Sequence, residues 1–304
     1  MARINFLSYN KFEVIKMPVT KSPLRYPGGK TQLSGFLKNL LEINKMKNVI
    51  YCEPFSGGFG AGMELLFSNE VDSIIINDLD LGIYSIWYAI IHDCEQFVNM
   101  INETPITIEE WHNQKEIYSA LITNDSYSID LAFATFFLNR TNRSGIISGG
   151  PIGGYEQTAK DLIDCRFNQE KLIIKIKNIN EKRDRIQLYN LEANELIENV
   201  LLNINPENLF VFFDPPYYKQ GKNLYTNFFD HNNHVELQEC IELLDNYKWI
   251  TTYDYEENIK EIYNDYPTLE YKIQYSANRV RKEKEYLFHS PTTTVESFDK
   301  VIFQ

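Results

Sequence analysis

Asp214-Pro215-Pro216-Tyr217 closes a run of five apolar residues, Leu209 to Phe213, and its residue types suit one kind of chemistry. Neither proline carries an N–H, so this turn offers carbonyl acceptors without competing donors, on a backbone with two φ angles locked. The Asp214 carboxylate and the Pro215 carbonyl can both accept from an exocyclic amino group. A nitrogen held by both of its hydrogens is driven toward a pyramidal shape. Its lone pair then leaves the ring plane and can attack a sulfonium methyl in line. Tyr217 can stack on the ring that bears the amine, an interaction of about 1–3 kcal/mol. A buried strand ending in an Asx-Pro turn is the purely structural alternative.

A second constellation runs from Glu53-Pro54-Phe55-Ser56-Gly57-Gly58 through Gly60 and Gly62, directly after the β-rich run Val49 to Cys52. Glycines let a loop backbone approach a nucleoside closely. Asp78 follows Gly57 by 21 residues, at the end of the next apolar run, Ser73 to Ile76. That spacing is close to the one at which a carboxylate accepts from a ribose diol, in the order strand, turn, helix, strand, acid.

The elements needed to position these residues are legible in outline. The chain has 304 residues, 43% of them hydrophobic, enough for a large core with a smaller appended lobe. Residues 1 to about 20 read as a tail or an added strand. The turn at Pro27-Gly28-Gly29-Lys30 precedes a helical pattern from Leu33 to Leu41, and the two short strands with Gly57 to Phe67 between them form a βαβ unit, which implies a parallel sheet. Helical patterns then cover Ile106 to Leu121 and Ile129 to Leu138, followed by a polar, glycine-rich stretch from Thr141 to Gly154. Strand patterns resume at Ile186 to Tyr189, Leu209 to Phe213, Trp249 to Tyr253, Tyr286 to His289 and Val301 to Phe303. The expected fold is α/β, with residues 1–83 and 186–304 forming a sheet domain and 84–185 an inserted, mostly helical lobe.

Composition narrows the function classes. The most apolar run, Leu131 to Leu138, is far shorter than the roughly 20 residues that cross a bilayer, and the N-terminus has no compact apolar leader; a cytoplasmic location without membrane partners is expected. Cysteines at 52, 94, 165 and 240 form no C-x-x-C pair, and the five histidines show no H-E-x-x-H or H-x-E spacing, so no metal is expected and a zinc deaminase is disfavoured. The net charge of −12 opposes nucleic-acid binding by the whole surface. Two segments run the other way: Lys160 to Arg185 is net +3 and Tyr271 to Lys284 net +4, a pattern that fits a basic cleft on an acidic body.

Taken with their order, these motifs resemble the Dam-like class of S-adenosylmethionine-dependent DNA adenine N6-methyltransferases, from about Ser22 to the C-terminus. Leu24-Arg25-Tyr26-Pro27-Gly28-Gly29-Lys30 is similar to the family's N-terminal motif. The resemblance implies a Rossmann-like class I methyltransferase sheet, with Tyr26, Gly29 and Lys30 near the methionine end of the cofactor. Glu53, Phe55, Gly57 and Gly58 would form the cofactor loop, Asp78 would bind the ribose, Glu192 would lie near the cofactor adenine, and Asp214 would reach both cofactor and target. The family often writes its loop F-x-G-x-G, and here Phe59 stands at the second glycine position.

Leu138 to Ile146 and Arg166-Phe167-Asn168 are similar to signatures of the family's inserted target-recognition lobe. Arg140 and Arg143 could donate to phosphate or guanine, and Asn139 and Asn142 could pair with adenine edges. Arg279 and Arg281, with the segment Tyr225 to His234, are candidate backbone-binding elements. The implied partner is double-stranded DNA, with the target adenine flipped from the helix; a cognate restriction endonuclease, a phage system and an orphan role are all compatible. Methylation of RNA adenine or cytosine N4, and a catalytically inactive DNA-binding homologue, are the alternatives. Asp214→Ala is expected to abolish methyl transfer while sparing cofactor binding, and Asp78→Ala chiefly to weaken cofactor binding; a labelled-transfer assay beside a cofactor titration separates the two.

Overall fold

The computed structural model describes residues 20–26, 28–219, 229–275 and 281–304, with residues 274, 275, 281 and 282 described by their backbone only. Seven strands form one mixed sheet in the order β3-β2-β1-β4-β5-β7-β6. In chain order they are β1 (Ile50–Glu53), β2 (Ser73–Asn77), β3 (Ile186–Tyr189), β4 (Leu209–Phe213), β5 (Lys248–Asp254), β6 (Thr268–Tyr275) and β7 (Arg281–His289). The first five are parallel, and β7 runs antiparallel to both β5 and β6.

Strand periodicity divides the core between the two faces of the sheet. Tyr51, Ile74, Ile76, Phe210 and Phe212 face one side and pack with α1 (Ser34–Ile43), α2 (Gly60–Phe67) and α3 (Leu81–His92). Cys52, Ile75, Val211 and Phe213 face the other, against α8 (Ala193–Asn199), α9 (His231–Glu242) and α10 (Glu257–Ile262). All five residues of β4 are buried, as expected of a central parallel strand covered on both sides.

Between β2 and β3 the chain builds α3, α4 (Cys94–Glu103), α5 (Ile108–Leu121), α6 (Ile129–Thr141) and α7 (Gln169–Asn180). These helices share the sheet's core. Trp87, Phe97, Phe133 and Phe136 belong to the same buried cluster as Ile74 and Phe210. Helix α6 is buried nearly all round, which suits a central helix of a bundle better than a surface one.

Two sequence expectations change. Val301 to Phe303 forms no strand and makes only isolated bridges, Phe303 to Tyr271 and Val301 to Phe298. The edge strand is instead β6, whose alternation of Leu269, Tyr271 and Ile273 with Glu270 and Lys272 is a half-buried pattern interleaved with charge.

The order of strands places a topological switch between β1 and β4, where connections leave in opposite directions and a crevice opens beyond the carboxyl ends. Asn77, at the end of β2, braces that crevice. It is 1% exposed, donates from Nδ2 to the Pro54 carbonyl at 2.8 Å and the Leu191 carbonyl at 3.0 Å, and accepts from the Leu191 N–H at 3.0 Å. One side chain therefore ties together the loops after β1 and β3. Asn77→Ala would strand three backbone groups, so a loss of about 2–4 kcal/mol is expected in urea unfolding, with unchanged denaturant dependence.

Candidate active site

Glu53 ends β1, and the chain turns immediately through the glycine loop. Gly57 has a φ of 46°, and a Cβ there would stand 2.6 Å from the ring of Tyr26, so only glycine fits under that ring. The Gly57 N–H donates to Asp78 Oδ2 at 2.7 Å and its carbonyl accepts from Trp87 Nε1 at 3.1 Å. Asp78 Oδ1 accepts from the Asp80 N–H at 3.0 Å. Each Asp78 oxygen thus keeps lone-pair capacity after bracing the backbone.

Phe59, the position where the resembling motif has glycine, adopts a left-handed φ of 46° just before α2. Such a conformation costs a non-glycine residue about 1–2 kcal/mol. Its ring offsets this by full burial, edge-on to Trp87 and Tyr51 with centroids at 6.4 and 6.1 Å. Gly62 makes room for the ring, since a Cβ there would lie 2.3 Å from it.

The crevice is an open cleft beside the glycine loop. Tyr26, Gly29, Lys30, Glu53, Phe55, Gly58, Asp78, Glu192, Asp214 and Pro216 all line it, so motifs from five segments of sequence meet in one place. Gly57 supports the wall from behind, beneath Tyr26, and Pro215 and Tyr217 lie outside the lining. Glu192 also caps α8 through a reciprocal capping box with Glu195. Leu79, Asp80, Leu191 and Ala193, which sequence alone did not single out, complete the walls with Ser56 of the glycine loop and Phe229 of the segment Tyr225 to His234. For Leu79, Asp80, Leu191 and Ala193 the sequence signal was adjacency to Asp78 and Glu192. Ser56 Oγ is buried without a hydrogen-bond partner among the described residues, a donor in the wall of the cleft.

Opposite the glycine loop sits a dense charge network. Lys30 Nζ lies 2.8 and 2.9 Å from the two oxygens of Asp214 and 2.8 Å from the Tyr217 hydroxyl. Thr252 Oγ1 donates to Asp214 Oδ1 at 3.0 Å. The Tyr217 hydroxyl donates to Glu285 Oε1, and the Tyr271 hydroxyl to Glu285 Oε2.

Burial pushes the Asp214 carboxyl above its ordinary range, and Lys30 opposes that shift. For Lys30, burial favours loss of the proton, yet the charges of Asp214, Glu285 and Glu53 hold its pKa above the ordinary value. Glu53 is raised to about 8, chiefly by burial, with Asp214 adding to the shift. Asp78 is raised to about 7 by burial and by the neighbouring Asp80.

The family model of D12 class N6 adenine-specific DNA methyltransferases matches residues 26–280. The chain belongs to this family. Its members methylate adenine N6 in DNA, and this chain is an enzyme of that type. Among curated proteins, the Type II methyltransferase M.CviBI of Paramecium bursaria Chlorella virus NC1A is 21% identical over 259 residues, covering 84% of this chain and 91% of that protein. A crystal structure named as a candidate RNA methyltransferase from Pyrococcus horikoshii aligns over 92% of this chain and 88% of its own, at 9% identity and a TM-score of 0.37. That likeness is too loose to add to the topology.

The helical lobe corrects part of the expected DNA-reading set of this methyltransferase. Asn139 is 1% exposed and spends its amide on Arg25 and on the Gly145 carbonyl, with Nδ2 at 2.7 and 3.0 Å from two carbonyls and Oδ1 at 2.9 Å from the Arg25 N–H. Asn142, fully buried, accepts from Trp111 Nε1 at 2.7 Å and donates to the Ile146 and Ile147 carbonyls, each at 2.9 Å. Both asparagines therefore shape the loop after α6 and have no base-reading face. Arg140 is largely turned inward, donating to the Pro23 carbonyl at 3.3 Å and to the Arg166 carbonyl; burial and the charges of Arg25 and Arg166 lower its pKa to about 9. Arg143 is exposed on that loop.

Arg279 lies outside the described residues, as do residues 225–228 of the segment from Tyr225 to His234; Arg281 opens β7, its side chain likewise outside. At the described end of that segment, His234 is buried with its ring 3.1 Å from the Tyr253 hydroxyl. Among the described residues no His, Cys, Asp and Glu group is arranged to hold a metal, and no helix is long and apolar enough to cross a membrane.

A carboxyl whose folded pKa lies above its unfolded value binds protons preferentially in the folded state, so it destabilises the fold as pH rises from the unfolded value toward the folded one. For Glu53 that window runs from 4.5 to about 8. Glu53→Gln keeps an oxygen for Tyr51 and the Gly62 N–H, at 2.8 and 3.1 Å in the wild type, and removes the titration. The difference in unfolding free energy should move in the variant's favour by several kcal/mol across that window; denaturant unfolding at successive pH values checks this.

Proposed function

We propose that this DNA adenine methyltransferase takes its methyl group from S-adenosylmethionine and delivers it to an adenine flipped out of duplex DNA, with Asp214 holding the target amine. The observation that carries this reading is the meeting of Asp214 and Pro216 with the glycine loop, Asp78 and Lys30 in one cleft at the switch point. When bound, S-adenosylmethionine supplies an electrophilic methyl. The residues present fit it: Asp78 has acceptor capacity for a diol, Ser56 Oγ is a donor without a partner among the described residues, and Tyr26 roofs the loop.

In this reading the chain's own work is positioning and desolvation. Asp214, with one carboxylate site beyond those used by Lys30 and Thr252, accepts one N6 hydrogen, and the Pro215 carbonyl accepts the other. Asp214 and Pro215 hold N6 in line with the bound donor, which gives its methyl to N6 and keeps the bonding electron pair on sulfur. N6 then sheds one proton, for which the Asp214 carboxylate is the adjacent acceptor. Tyr217, anchored at its hydroxyl, presents its ring to the base.

The lobe from 84 to 185 is proposed as the target-recognition part, with exposed Arg143 a contact residue, and the sheet segments 1–83 and 186–304 as the catalytic part. The Type II name of the viral relative supports a partnership with a restriction endonuclease. The test is transfer of labelled methyl to duplex DNA and, in parallel, to RNA, with nucleoside analysis of the product. N6-methyladenine from duplex DNA alone is expected; N4-methylcytosine, or RNA as the better acceptor, would overturn the reading.

A further inference from the structure

Glu285 lies in β7, 1% exposed, on none of the motifs that identify the cleft, yet its two oxygens end a hydrogen-bond chain that starts at Asp214. The chain runs from Asp214 to Lys30 Nζ, on to the Tyr217 hydroxyl, then to Glu285 Oε1, with Tyr271 held on Oε2. We propose that Glu285 is a positioning residue for methyl transfer, fixing Tyr217 by its hydroxyl and drawing the Lys30 charge away from Asp214 so that Asp214 remains a strong acceptor. The proposal rests on the reading above in which Asp214 holds the target amine.

The hydroxyl of Tyr217 has one proton. Donating it to Glu285 turns the oxygen lone pairs toward Lys30, so the ammonium is shared among Asp214, a hydroxyl polarised by a buried carboxylate and, more distantly at 3.4 Å, the Gly28 carbonyl. Bonds in such a chain strengthen one another where the dielectric is low. A carboxylate offers about four lone-pair sites. Lys30 uses two on Asp214 and Thr252 one, so an incoming amine must share the acceptor with the ammonium. The more firmly Lys30 is held from the Glu285 side, the less it saturates Asp214.

From β1, Glu53 is raised to about 8, and Tyr51 is pushed above the phenol range by burial. Tyr253 from β5 is pushed upward by burial as well. Tyr271 comes from β6, and Lys30 from the turn before α1. After burial, Asp214 responds to Lys30 and then to Glu285, whose charge raises it; Glu53 responds to Tyr51, Asp214, Gly62 and Lys30. Exchanging Glu285 therefore acts on the titration of Asp214.

The experiment compares Glu285→Gln with Tyr271→Phe in the full chain, measuring single-turnover methyl transfer to saturating duplex DNA between about pH 5 and pH 9, beside donor affinity by calorimetry. Asp214 works ionised, so removing a neighbouring negative charge lowers its pKa and moves the acid limb of the rate profile to lower pH. Glu285→Gln is expected to lose about tenfold in rate and to show that displacement, with donor affinity retained. Tyr271→Phe removes a hydrogen bond from the same carboxylate and leaves its charge, so its acid limb should stay where the wild type has it. An unmoved limb in Glu285→Gln, or equal displacement in both variants, overturns the proposal.

If Glu285→Gln does not fold, Glu285→Asp keeps the charge and shortens the reach; slowed transfer with an unmoved limb supports the role, and a normal rate overturns it. Asp214→Ala distinguishes the two layers. Transfer surviving in that variant removes the reading of the site, whereas its loss together with an unmoved limb in Glu285→Gln removes only the role given to Glu285.

Discussion

One buried cation holds the carboxyl edge of this sheet together electrostatically. Glu53, Asp214 and Glu285 come from β1, the turn after β4, and β7, and the Lys30 ammonium sits within the influence of all three. Isolated charges do not survive burial; they are paired, or they give up their ionisation. Here both outcomes occur side by side, with Asp214 paired to Lys30 and Glu53 raised to about 8. Removing one member of a buried pair costs about 3–5 kcal/mol, so Lys30 is as much a folding element as a chemical one. The ends of β1 and β4 meet at the switch point, and Glu285, mid-strand in β7, lies level with the end of β5, while both faces of the sheet stay apolar.

Much of this was written locally. The apolar run Leu209 to Phe213, ending in Asp-Pro-Pro-Tyr, is the fully buried strand β4, and the loop from Glu53 with Asp78 beyond it forms the opposite wall. These were legible because each motif carries strand, turn and functional residue within a few positions. What escaped depends on pairings distant in sequence. Glu285 meets Tyr217 across 68 residues, and no local pattern marks it. Strand β6 hid its alternation among charges that face outward at a sheet edge.

The asparagines of the helical lobe illustrate the opposite error. In a polar stretch rich in Asn and Arg, a side chain able to read a base edge is indistinguishable from one that satisfies a buried backbone. Asn139 reaches the Arg25 backbone 114 residues away, and Asn142 takes the indole of Trp111 from α5. Both serve a loop whose carbonyls would otherwise be orphaned, a requirement that appears only once the loop is folded.

The bond from the Trp87 indole to the carbonyl of Gly57 joins two parts of the molecule that sequence separates by 30 residues. Trp87 stands on α3, the helix that opens the lobe, and Gly57 is the residue on which Tyr26 rests. The indole thus fixes the helix and the turn beneath Tyr26 to one another inside the shared core.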